Sequence, residues 1–190
     1  ANYDLVNGYI VGQGVSLANA DLNGADLTGA DLSHADLTGA DLTGADLTGV
    51  KSGGLVGAPT LPANYDLVNG YIVGQGVSLA NADLTGADLS NVDLTGASLT
   101  GASLNGASLT GADLTGADLS NADLTGAELT GADLTGVKSG GLVGAPQALP
   151  ANYGLVNGYI VGQGVSLANA DLTGADLTGA DLRDADLDGA

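Results

Sequence analysis

A leucine stands at every fifth residue over most of this chain, and few folds can satisfy that spacing. Leu recurs from Leu17 to Leu47, from Leu79 to Leu134, and from Leu167 to Leu187, which makes 24 units in register. Most units read Ala-Asp-Leu-Thr-Gly. A period of five matches neither the 3.6 of an α-helix nor the plain alternation of a strand. Gly in nearly every unit would also cost a helix roughly 1 kcal/mol per residue. The spacing does suit a coil that turns a corner once per repeat. Leu then points inward from each short side, and the small Ala two positions earlier fits inside near the corner. Asp and Thr point out. Gly closes the unit, because a tight turn needs a residue that tolerates positive φ.

Composition sharpens this expectation. The 190 residues include 33 Gly and no Cys, Met, Trp or Phe. A core built without these residues must rest on Ala, Leu, Val and Ile. Such bias often marks disorder, but here it is periodic and keeps an apolar residue in every unit. Lys51, Lys138 and Arg183 are the only Lys or Arg residues against 22 Asp plus Glu, for a formal net charge of −19. That balance disfavours direct binding to nucleic acid or anionic lipid. No apolar run is long enough for a membrane-spanning helix, and absence of Cys excludes disulfides without assigning a compartment. With no initiator Met and no leader, the chain reads as processed or as a piece of something longer.

A longer period overlies the short one. Ala-Asn-Tyr-Asp-Leu-Val-Asn-Gly-Tyr-Ile-Val-Gly-Gln-Gly-Val-Ser-Leu begins at Ala1 and Ala63, and recurs at Ala151 with Gly154 in place of Asp. Val-Lys-Ser-Gly-Gly-Leu-Val-Gly-Ala-Pro closes the first two segments, at Val50–Pro59 and Val137–Pro146. Segment one is therefore 1–62, with separator 1–16, pentapeptides 17–49 and terminator 50–62. Segment two is 63–150, with separator 63–76, pentapeptides 77–136 and terminator 137–150. Segment three, 151–190, stops before a terminator. Each separator reads as two degenerate pentapeptides, Tyr3–Asn7 and Gly8–Gly12, within one mostly continuous rod. The alternative is a loop leaving the rod where Pro59, Pro62, Pro146 and Pro150 interrupt pairing.

The tandem A-D-L-T-G units resemble the pentapeptide-repeat family, whose pattern is A(D/N)LXX. The resemblance covers about two-thirds of the chain. It implies an all-β fold, a right-handed quadrilateral β-helix (β-solenoid) with four pentapeptides per coil. Coils of 20 residues would then stack about 4.8 Å apart. The structural core expected on this basis includes Leu17, Leu22, Leu27, Leu32, Leu37, Leu42, Leu84, Leu89, Leu94, Leu99, Leu104, Leu109, Leu114, Leu119, Leu172 and Leu177.

With 20 residues per coil, Asp21 stacks on Asp41 and Asp26 on Asp46. At about 5 Å in water such a pair repels by roughly 0.9 kcal/mol, so salt or divalent cations should stabilise the rod. Ser103 and Ser108 interrupt two columns, Asp83–Ser103–Asp123 and Asp88–Ser108–Glu128, and with Ser98 they form a neutral belt. Asp93, Asp113 and Asp133 form a fully charged column. Stacked carboxylates supply too few oxygens for a defined Ca²⁺ site, so weak, non-specific binding of Ca²⁺ or other cations is the most they offer. No cofactor is expected.

Catalytic groups are missing. His34 is the one histidine, at a corner position usually held by Gly, and a solid rod offers no pocket for a triad. Gly12-Gln13-Gly14 lacks the Lys and the helix of a phosphate loop. The six tyrosines fall two per separator. Tyr9, Tyr71 and Tyr159 are candidates for covering irregular backbone, or for lateral contact between rods. Neither the starting separator nor Asp188-Gly189-Ala190 looks like a cap, which repeat proteins usually need. The expected function is a non-enzymatic structural rod in an extracellular or surface fibre, with other copies of itself as partners. Some members of the resembled family are acidic DNA mimics that bind type II topoisomerases; that role implies a cytoplasmic protein, and this chain lacks their C-terminal dimer module and central Phe. A third reading is ice or surface binding by arrayed Thr28, Thr38, Thr43 and Thr48.

Overall fold

The turn in each pentapeptide is what shapes the chain. In the computed structural model, which describes residues 3–190, Ala20 N donates to Leu17 O at 3.0 Å, and the same bond recurs along the repeat. Ala1-Asn2, the start of the first separator, lies outside these residues. The third residue of each turn takes positive φ: Gly in most units, Asn, His34 or Asp184 in others. Asn tolerates the left-handed region better than other non-glycine residues, which is why Gly and Asn interchange there.

Between corners the chain pairs with itself one coil on. Leu22 N donates to Asp41 O at 2.8 Å, and Asp41 N donates to Ala20 O at 2.9 Å. The resulting parallel bridges join residues twenty apart: Asp21 with Asp41, Asp26 with Asp46, Ser103 with Asp123. One bridge per side is too short to count as a strand, but the ladder satisfies the backbone as a sheet does. The architecture is all-β, with no helix among the described residues.

Two compact units are resolved, Ala1–Leu79 and Ala80–Ala190. Each is filled from inside by Leu and Ala. Leu17, Leu22, Leu27, Leu32, Leu37 and Leu42 are buried in the first, and Leu84 through Leu119 at every fifth residue in the second. Leu172 and Leu177 differ from expectation, being only half-buried. An inward Leu is sealed by the coils on both sides of it. Among the described residues no later coil covers 171–190, and Asp171, Asp176 and Asp181 make no bridges.

The separators are not degenerate pentapeptides. Each forms a two-stranded antiparallel hairpin: β1 (Asp4–Val6) with β2 (Tyr9–Val11), β3 (Asp66–Val68) with β4 (Tyr71–Val73), and β5 (Gly154–Val156) with β6 (Tyr159–Val161). Asn7 (φ 49°) and Gly8 (φ 86°) both lie in the left-handed region. That pair of angles makes a type I′ turn, whose twist matches the two strands, and Asn-Gly is its preferred sequence. Within each unit the ladder resumes beyond the hairpin. Lys51 bridges Ser78 and Lys138 bridges Ser166, intervals of 27 and 28 in place of 20. The hairpin is thus an insertion into one coil, and the pairing closes again behind it.

Candidate interaction surfaces

The carboxylates, 22 against three Lys plus Arg, are the commonest charged groups, and most are already engaged. Asp26 Oδ1 accepts from Thr28 N at 3.0 Å, and Asp41 Oδ1 accepts from Thr43 N at 2.9 Å. The hydroxyl often joins in: Thr38 Oγ1 donates to Asp36 Oδ1 at 2.6 Å, and Thr125 Oγ1 to Asp123 Oδ1 at 2.6 Å. This is the Asp turn motif, in which the carboxylate bonds its own chain two residues on. The Thr hydroxyls of these units are turned onto carboxylates.

The hydrogen bonds hold these acids ionised. Asp26, Asp36, Asp41, Asp83, Asp123, Asp171 and Asp176 lie below the ordinary carboxylate value. The largest cause in each is the side-chain hydrogen bond from Thr two residues on, followed by the backbone bond from that residue. For Asp26 the charge of Asp46 pushes the other way, and is the smallest influence. Repulsion along the columns therefore does not govern these carboxylates. Asp113 gains a further stabilising hydroxyl from Thr95 in the preceding coil. Arg183 grips Asp181 through Nη2 at 2.6 Å, and with that hydrogen bond first among the causes Asp181 falls to about 2.

The sign of the pH dependence follows. Carboxylates depressed in the folded state add stability that is present above the unfolded value of about 3.9 and is lost as pH falls through the folded values. The melting temperature should stay level from pH 7 to 5, then fall from about pH 4 toward pH 2. Thermal unfolding followed by circular dichroism across that series checks it. A rise on acidification would show that column repulsion outweighs the turn hydrogen bonds.

The columns themselves stand in the register that a 20-residue coil sets. Asp93 bridges Asp113, and Asp113 bridges Asp133. Ser103 and Ser108 take the middle places of their two columns. Their hydroxyls reach across coils, Ser103 Oγ to Thr85 Oγ1 at 3.0 Å and Ser108 Oγ to Ser90 Oγ at 2.7 Å. Both lysines occupy column positions over an acid, Lys51 over Asp31 and Lys138 over Asp118. Counting twenty residues back from each lysine reveals this in the sequence alone.

The hairpins carry the tyrosines. Tyr65 OH donates to Gln75 O at 3.0 Å and Tyr153 OH to Gln163 O at 2.8 Å, tying each hairpin base to the following turn. Tyr9 OH accepts from Asp21 N at 3.3 Å, and Tyr159 OH from Asp171 N at 3.2 Å. Tyr71 and Tyr159 are part-buried, with their rings over Gly53 and Gly140; Tyr9 is more open. Burial, with Asp133 and Asp181 nearby, raises the Tyr153 phenol.

His34 is exposed at a corner with φ 60°, its ring beneath Gly54 of the next coil. A cleft of about 270 Å³ beside β5–β6 is lined by Tyr153, Val156, Val161, Asp176 and Leu177. Its carboxylate, Asp176, accepts from Thr178 N at 2.9 Å. No group of three or more His, Cys, Asp or Glu among the described residues is arranged to hold a metal ion.

A family profile described as pentapeptide repeats matches the chain in eight copies, over residues 13–50, 75–111, 102–138 and 163–190. Among solved structures, a pentapeptide repeat protein from the cyanobacterium Cyanothece 51142 is 30% identical over 63% of this chain and 64% of that one, with a TM-score of 0.39. Another, from the Arabidopsis thaliana thylakoid lumen, is 25% identical over 66% and 65%, with a TM-score of 0.33. The chain thus spans just under two-thirds of the length of each. QnrB1, a plasmid-mediated fluoroquinolone resistance protein, is 17% identical over 93% of this chain and 85% of its own, with a TM-score of 0.33. No curated protein sequence matches significantly.

Proposed function

The chain belongs to the pentapeptide repeat family, whose fold is a right-handed β-helix, and from that premise we propose that it is a non-enzymatic structural rod that assembles with copies of itself. On this reading the 20-residue register is four pentapeptide sides per coil, a quadrilateral cross-section. The work of the protein is mechanical spacing, in an extracellular or cell-surface fibre.

The observation that carries the proposal is the self-complementarity of the coil edges. On one edge Leu N donates forward to the residue before the next Leu in the following coil; on the other, that residue's N donates back to Ala O. Coils made only of pentapeptides repeat the same donors and acceptors, so the edge of one such coil matches the opposite edge of another. Pairing of two different edges is heterologous, and repeated it gives an open filament. The carboxylates support a non-catalytic role, because their lone pairs serve the turns and the hydroxyls beside them are occupied.

Negative-stain electron microscopy of the purified chain across a concentration series tests this. Filaments or end-to-end chains that lengthen with concentration are the expected result. Only compact single particles at the highest concentration would count against it.

A second reading draws on the carboxylate columns. Acids set in regular ladders, Asp93–Asp113–Asp133 among them, offer a DNA-like array to a type II topoisomerase in the cytoplasm. Gyrase supercoiling unchanged by excess protein would dispose of it.

A further inference from the structure

Two of the three basic residues stand at equivalent points of the first two segments. Lys51 and Lys138 each take the column place that Asp holds in most units, and each begins a Lys-Ser-Gly-Gly-Leu side. Up to that lysine the coils pair as elsewhere. Gly49 N donates to Gly76 O at 2.8 Å and Ser78 N to Val50 O at 2.9 Å; Gly136 N donates to Gly164 O at 2.7 Å and Ser166 N to Val137 O at 2.9 Å. One residue later the hairpin takes over the edge. Ile72 N donates to Ser52 Oγ, and Ile160 N to Ser139 Oγ, each at 2.9 Å. Leu142 N then donates to Gly158 O at 3.1 Å. The edge around Lys138 is thus shared between two partners, the coil that resumes at Ser166 and the hairpin β5–β6.

A cavity of about 270 Å³ opens at this fork, lined by Ser120, Lys138, Ser139, Ser166, Ala168 and Asn169. Its polar side chains are an ammonium, three hydroxyls and an amide, with no carboxylate among them. Ser139 is buried, and its hydroxyl accepts from Ile160 N, which leaves its own proton to donate. Lys138 forms no ion pair among the described residues, where the pair is Arg183 with Asp181. Asp118 and Asp186 flank Lys138 and Ser166 in the column. Both are turned to their own chain: Asp118 Oδ1 accepts from Ser120 N at 2.9 Å, and Asp186 Oδ1 from Asp188 N at 3.0 Å. Asp186 Oδ2 takes only a long bond from Ser166 Oγ, at 3.4 Å.

Such a set suits a ligand that only accepts. An oxyanion can take the ammonium and the hydroxyls on different oxygens at once, and charge-assisted bonds of this kind are the strong ones. An ordinary coil lacks the set, because Asp stands at the places of Lys138 and Ser166 and Leu at that of Ser139. The first segment repeats it. Ser33, Lys51, Ser52 and Ser78 occupy the matching places, and Lys51 bridges Ser78 as Lys138 bridges Ser166. We propose that the fork at Lys138 binds a small oxyanion of phosphate size, and that the fork at Lys51 is its twin. Binding at these forks is independent of self-assembly.

Lys51 and Lys138 are the only lysines, so the full chain labelled with ¹⁵N-lysine gives one backbone amide signal from each fork. Inorganic phosphate is titrated at neutral pH, and sodium chloride is titrated to the same ionic strength. The expected result is a saturable shift of both signals with phosphate and not with chloride. Lys138→Gln removes one signal and so assigns the two. Ser166→Asp restores the acid that is ordinary at that column place and sets a carboxylate in the cavity wall. It should weaken the response at Lys138 by about tenfold or more and leave that at Lys51 unchanged. A phosphate shift that never saturates, one that chloride reproduces, or a response at Lys138 that survives Ser166→Asp overturns the proposal.

Discussion

Leu104→Ala should lower the free energy of unfolding by about 2–5 kcal/mol, near the upper end of that range. Leu104 is fully buried, and its amide donates to Asp123 O at 2.8 Å. The bridges of Ser103 to Asp83 on one side and to Asp123 on the other lock its coil in place. Both terms of a large-to-small change then apply in full. The transfer free energy of the missing atoms is lost, and the ladder bonds prevent the neighbours from closing the cavity. Leu182→Ala is the control. Leu182 is half-buried and its coil is held from one side only among the described residues, so about half the loss or less is expected. Urea denaturation of both variants, with the slope compared as well as the midpoint, is the measurement. A loss below 1 kcal/mol at Leu104 would mean that the stacked leucines are not the main stabilising element.

Gly57→Ala should cost more than the same change at Gly24, by a margin the coordinates explain. Both glycines have positive φ, 84° and 63°. Forcing alanine into the left-handed region costs roughly 1–2 kcal/mol in either place. A Cβ on Gly24 meets nothing within 4 Å, so that cost is the whole effect. A Cβ on Gly57 would lie 2.5 Å from Thr38 Cα and 2.6 Å from Thr38 N. These are backbone atoms of the adjoining coil and cannot rotate away. The coils must part, at the expense of the bond from Leu37 N to Val56 O at 2.8 Å. The total at Gly57 is about 3 kcal/mol or more, adding the steric loss to the backbone term. Urea midpoints give the difference, and amide exchange at Leu37 locates it. Equal losses at the two sites would refute the close approach.

Both predictions turn on residues of a kind the sequence displays openly, yet they were not equally legible there. Leu104 can be placed in the core from spacing alone. The spacing also sets the columns, so the pairing of Asp93 with Asp113 and of Lys51 with Asp31 follows from counting by twenty. Gly57 and Gly24 look alike in the sequence; only the position of Thr38 separates them. A similar relation links Asn19 to Gly39 and Asn81 to Gly101, where the asparagine oxygen lies 2.8 Å from where a Cβ would be. The Asn-Gly pair at 7–8 was a visible hairpin signal between two apolar runs. A period of five fits the same residues, because Leu5 and Ile10 happen to stand five apart. Local turn chemistry won over that apparent period, since two successive left-handed residues reverse the chain and a pentapeptide corner needs only one.

What the sequence by itself determined is the coil: the inward Leu, the small Ala, the outward acids and the left-handed corner. These repeat at one period, and each depends on a residue's own size, polarity or backbone freedom. The tertiary structure decided what happens where the period lapses. It placed Ser52 and Ser139 in slots that leucine fills elsewhere, set tyrosine rings over bare glycines, and sealed Ile72 and Ile160 from solvent. Those outcomes depend on which backbone lies one coil away, and a contact between residues twenty or more apart is made by the stacking of coils, not by any property of either residue alone.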